Sequence, residues 1–73
     1  MEDGFILKKF SQRVRELRKR QGLTQQKLAE LADLEYKYIQ RIEGKNPPSI
    51  GLLKLVKLAR AFRMTVSKFL DFI

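Results

Sequence analysis

The chain has 73 residues, 44% of them hydrophobic and 33% charged, with no cysteine and no histidine, which describes one small domain, 1–73, near the lower size at which a chain folds unaided. Without those two residue types there is no disulfide, thiolate nucleophile, histidine acid or base, or common zinc site, and only oxygen donors remain for a metal. Sixteen Lys plus Arg against eight Asp plus Glu give a net charge of +8, which makes polyanions the natural class of partner, nucleic acid first among them.

From Phe5 to Gln21 the apolar residues Leu7, Phe10, Val14 and Leu17 recur at steps of three and four, the spacing of an amphipathic helix. Arg13, Arg15, Lys19 and Arg20 fall mostly on its other faces, either as a solvated surface or as neighbours of phosphate. Gly22 is a C-terminal breaker and Thr24 a good N-cap, so a second, short helix is expected from Gln25 to about Ala32. Its apolar positions Leu28, Ala29 and Ala32 are small enough to let another helix approach closely.

Asp33-Leu34-Glu35 interrupts the pattern, because Asp tolerates a left-handed backbone and favours turns. A third helix is expected from Glu35 to Glu43, with Tyr38, Ile39 and Ile42 on a core side and Tyr36, Lys37, Gln40 and Arg41 on the other. Gly44 ends it, and Lys45-Asn46-Pro47-Pro48 reads as an irregular loop. Ser49 is the expected cap of a fourth helix reaching about Phe62, with Leu52, Leu55, Val56, Ala59 and Phe62 on one face and Leu53 and Leu58 widening it. Thr65 is the expected cap of a last helix, in which Val66, Phe69, Leu70 and Ile73 form an apolar stripe and Phe72 lies off it. Five short helices without a strand pattern make an all-α domain, with no repeat and no linker.

The stretch Thr24 to Glu43 is thus a short helix, a tight turn and a second short helix, with apolar positions where the two would cross. Its "LTQQKLAE" and "YIQRIEGK", followed by "PSIGLLKLVKLARAF" and "TVSKFL", resemble the helix-turn-helix family of the Cro and phage-repressor type, often called XRE-like or lambda-repressor-like. The resemblance covers about residues 7 to 72. It implies a compact five-helix domain that binds operator DNA in a sequence-specific way, usually as a dimer, with the second motif helix in the major groove. Carried over by position, Tyr36, Lys37 and Arg41 fall where the family reads base edges, and Gln40 shares their face by helical geometry. Arg41 and Lys37 suit guanine, Gln40 adenine, and Tyr36 a phosphate or a thymine methyl. Gln25 matches the family's phosphate position at the start of the first motif helix, and Thr24 caps that end. Lys27, Lys45 and Asn46 are candidate phosphate neighbours. The resemblance also implies a structural ion pair between Arg18 and Glu43. Four features depart from the family's pattern: Asp33 and Arg63 stand where glycine is common, Glu35 replaces a capping Ser or Thr, and the segment after Glu43 is short and carries a double proline.

The expected partners are therefore double-stranded DNA and a second copy of the chain, with Phe69, Phe72 and Ile73 as a candidate dimer seam; a frayed tail or simple closure of the core is the alternative for these three residues. No cofactor, metal or small-molecule ligand is expected, and no enzyme, because the eight acids are scattered among bases rather than paired for acid and base work. No apolar stretch approaches the roughly 20 residues that span a bilayer. The amino end, Met1-Glu2-Asp3-Gly4, has no basic leader, so a cytoplasmic protein is expected. The rival reading is an antitoxin-like or adaptor module, whose hydrophobic end and basic face engage another protein, with DNA binding secondary or absent.

Overall fold

The computed structural model describes residues 3–73; Met1 and Glu2, half of the amino end read above for its lack of a leader, lie outside the described residues. Those residues form five helices, α1 (Asp3–Arg20), α2 (Gln25–Ala32), α3 (Tyr36–Ile42), α4 (Leu52–Ala61) and α5 (Val66–Phe69), and no strand. This is the all-helical arrangement the sequence leads one to expect, with α2 and α3 as the motif pair. No described helix is long and apolar enough to cross a membrane.

Three of the helices end in the same way. Gly22, Asp33 and Arg63 follow α1, α2 and α4 with φ of +68°, +55° and +59°, and the next residue closes each end by donating its N–H five residues back. These bonds are Leu23 to Arg18, Leu34 to Ala29 and Met64 to Ala59, each 2.9 Å. The donor is apolar every time and packs against the core, which is the hydrophobic contact that accompanies a left-handed helix stop. Thr24 and Thr65 start α2 and α5, their hydroxyls accepting the N–H of Lys27 at 3.0 Å and of Lys68 at 3.1 Å. The chain therefore turns sharply twice through stop, apolar anchor and cap in three consecutive residues.

The core joins Phe10, Val14 and Leu17 of α1 to Leu28, Ala29 and Ala32 of α2, Ile39 and Ile42 of α3, and Leu58, Ala59, Phe62 and Phe69 from the carboxyl half. The alanines of α2 allow it to pack closely on both α3 and α4. Phe69, the buried residue of the one-turn α5, sits 5.6 Å from Phe10 and 5.7 Å from Phe62 between ring centroids.

Two expectations for the carboxyl half need correction. Helix α4 is capped by Gly51, not Ser49, and the capping glycine makes no side-chain bond. Ser49 and Ile50 stay outside the helix, and Ile50 packs against the core as the chain crosses it. As a result Leu52 and Leu53, expected on the core side, are 76% and 65% exposed. The apolar stripe of the last helix also fails beyond Leu70, because α5 stops at Phe69 and helical spacing no longer governs where residues point. Ile73 is 77% exposed. Phe72, read as off the stripe, is half-buried with its ring 6.3 Å from that of Phe10.

Candidate nucleic-acid interface

Helix α3 is held by Ile39 and Ile42, which are buried. At about 100° per residue, Tyr36, Gln40, Lys37 and Arg41 then share an arc of about 140° on the opposite side. All four are exposed, and none of their side chains makes a hydrogen bond or ion pair among the described residues. Glu35, the N-cap, makes no side-chain cap bond, so its carboxylate also stands free at the start of α3. Tyr38, expected in the core, is only half-buried, and the Lys54 ammonium lies 4.1 Å from its ring centroid. Burial pushes its phenol above the ordinary value, and the charge of Arg41 pulls the other way. Lys54 and Lys57 of α4 line a groove with Lys37 and Arg41, together with the carboxylates Asp33 and Glu35, and Lys57 Nζ lies 3.4 Å from Asp33 Oδ2, so the charge beyond α3 is mixed.

The carboxyl end of α3 is fastened through Glu43, which is 6% exposed. Its two oxygens accept Arg18 Nε at 2.7 Å and Nη2 at 3.0 Å, the bidentate geometry that makes such pairs strong. Arg18 Nη1 also donates to the Leu23 carbonyl at 2.9 Å. Hydrogen bonding to Glu43 is the main cause that holds the Arg18 guanidinium charged above its ordinary value. Arg15 Nη2 donates to the Glu43 backbone carbonyl, and Gln25 Nε2 to its Oε1 at 3.2 Å. One carboxylate thus ties α1, the start of α2 and the end of α3, which fixes the two motif helices relative to each other.

The residues read as phosphate neighbours divide into two groups. Thr24, Gln25 and Lys27 lie in the first turn of α2; Thr24 and Lys27 are exposed, and Gln25 is half-buried with one of its amide N–H groups committed to Glu43. Lys45 and Asn46 are exposed on the other side of Glu43, across a cleft from α1. Of the three residues read as a dimer seam, Phe69 is 0% exposed inside its own core and has no surface to offer a second chain. Phe72 and Ile73 remain at the carboxyl end.

The basic run of α1 is largely taken up by the fold, which the sequence reading left open. Arg13 donates from Nε to the Phe69 carbonyl at 3.0 Å and from Nη2 to the Lys68 carbonyl at 2.8 Å, so it caps α5 from across the molecule. Arg15 serves Glu43 as described, while Lys19 and Arg20 are exposed. A sequence signal existed for Arg15, which stands three residues before Arg18 and so shares its face. None existed for Arg13, whose acceptors are backbone carbonyls 55 and 56 residues away.

A family model described as Helix-turn-helix matches residues 14–69, from the middle of α1 through α5. Among solved structures, the chain is similar to that of the restriction-modification controller protein C.AhdI from Aeromonas hydrophila. The two share 36% identity with a TM-score of 0.79, over 86% of this chain and 94% of that one. No curated protein matches.

Proposed function

The chain belongs to the XRE-type helix-turn-helix family, and from that membership we propose a DNA-binding transcriptional regulator that reads sequence with α3 in the major groove. The observation that carries this reading is the division of labour among the cations. Arg13, Arg15 and Arg18 are bonded within the fold, whereas Lys37 and Arg41 stand unbonded beside Tyr36 and Gln40 on the outward face of α3. Such a face offers a bidentate donor for guanine in Arg41 and an amide for adenine in Gln40. The first turn of α2 has unpaired backbone N–H groups and the positive end of a helix dipole, with Thr24, Gln25 and Lys27 around it, a suitable seat for a backbone phosphate. Lys45 and Asn46 supply further phosphate contacts.

The regulator binds as a homodimer through Phe72 and Ile73, to a partly palindromic operator with half-sites about one helical turn, roughly 34 Å, apart. The exposed Ile73 beside a half-buried Phe72 supports this seam. The likeness to a restriction-modification controller supports a role in controlling the genes of such a system.

Arg41→Ala tests base reading. It should lower the preference for operator over random duplex by about 1 to 3 kcal/mol, while Lys27→Ala weakens both DNAs alike. Titrations of the two duplexes at one salt concentration measure the difference. Equal losses on both for Arg41→Ala would contradict base reading by this residue.

A further inference from the structure

Beside the motif, α1 and the segment after α3 enclose a cleft of about 430 Å³, bounded by Lys8, Gln12 and Arg15 on one side and Lys45 and Asn46 on the other. Three of these side chains are cationic, two are amides, and no carboxylate lines the cleft. Two acids neighbour lining residues in sequence without lining the cleft: Glu16 is exposed on α1, and Glu43 is buried and bonded to Arg18 and Gln25, with Arg15 Nε 3.9 Å from its Oε1. The cleft therefore presents only positive charge and polar groups, the chemistry of an oxyanion site rather than of an apolar ligand.

Lys8, Gln12 and Arg15 stand at i, i+4 and i+7, one above another along about 10 Å of helix axis. Lys8 and Gln12 are exposed and make no side-chain bond among the described residues. The lower end of the row is fixed to the motif, because Arg15 donates to the Glu43 carbonyl where α3 ends. Glu43 in turn holds Gln25 at the first residue of α2. The cleft thus adjoins the carboxyl end of α3 and is tied through Glu43 to the start of α2, the helix end proposed above as a seat for phosphate.

We propose that this cleft is a second seat for the DNA backbone, taking phosphate beyond the base pairs that α3 reads, and that Lys8 and Gln12 of α1 are phosphate-binding residues. The proposal rests on the DNA-binding reading above and extends its footprint onto α1. It gives the exposed cations of α1 unequal roles. Lys8 faces the duplex, while Lys9 lies outside the cleft with its ammonium 5.5 Å from the Phe5 ring centroid.

The test compares Lys8→Gln with Lys9→Gln, which remove the same charge from adjacent exposed positions. Affinity is measured against salt on a duplex extending well past the selected operator and on one trimmed to its outermost read base pair. On the long duplex, Lys8→Gln should make the slope of log affinity against log salt shallower by about 0.9, the value of one released counterion. It should leave the slope on the trimmed duplex unchanged, and Lys9→Gln should change neither. Equal slopes for wild type and Lys8→Gln on the long duplex, or equal changes for the two variants, would overturn the proposal. If operator preference persists while Lys8→Gln has no effect, the cleft reading fails and base reading stands. If the wild type shows no sequence preference but Lys8→Gln still flattens the slope, base reading fails and the cleft stands.

Discussion

Glu43 shows how one residue sets the relative geometry of the two motif helices, on which the proposed base reading depends. Three side chains from α1 and α2 converge on it, and its own side chain is 4% exposed against 14% for Arg18. Removing one partner of a buried pair leaves an uncompensated charge, at a cost of about 3 to 5 kcal/mol. A domain of this size has a total stability of about 4 to 11 kcal/mol. Glu43→Ala should therefore lose a large share of that stability in urea unfolding followed by circular dichroism, and Arg18→Met combined with Glu43→Leu should lose less than either single change. A loss below about 1 kcal/mol for Glu43→Ala would mean that the convergence is decorative. This pair was legible through family resemblance alone, since neither charge nor spacing relates residues 25 apart in sequence.

Among the elements, what decides legibility is whether a boundary is set locally. The start of α2 at Gln25, its end at Ala32 and the cap of α5 at Thr65 were all readable, because a hydroxyl cap or a left-handed stop acts within three or four residues. The start of α4 was not, because Ser49 is an acceptable cap and only the path of the chain across the core makes Gly51 the one used. The stop residues give a further test. Gly22→Ala places a Cβ at φ +68° and should cost about 1 kcal/mol, whereas Arg63→Gly relieves a non-glycine residue at φ +59° and should gain up to about 1 kcal/mol. Urea midpoints that moved the same way for both would contradict the reading of these residues as strained and unstrained versions of one stop. The outward face of α3 was legible from period alone, since Ile39 and Ile42 fix which side is buried. The carboxyl end was less so: a stripe of period 3.6 cannot reveal that its helix ends after one turn, which places Phe69 inside and Ile73 outside.

For the whole molecule, composition pointed to a polyanion partner, and the fold refines that statement by showing where the charge is free. The net charge of +8 includes three arginines bonded within the fold, so a high pI overstates the surface available to DNA. Of the cations unbonded among the described residues, Lys37 and Arg41 stand on α3, Lys54 beside them on α4, and Lys8 and Lys45 at the cleft against α1, while Lys9, Lys19, Arg20, Arg60, Arg63 and Lys68 are exposed elsewhere. On the proposed reading the molecule discriminates between sequences rather than merely adhering to phosphate, and the two behaviours separate with salt, because counterion release weakens non-specific binding first. The most direct measurement is selection of bound sequences from a random duplex pool, repeated at low and at near-physiological salt. The account predicts a two-fold motif that survives the higher salt, with half-sites about one helical turn, roughly 34 Å, apart. A pool without an enriched motif, whose binding vanishes as salt rises, would contradict it and favour a basic module whose specific partner is another protein.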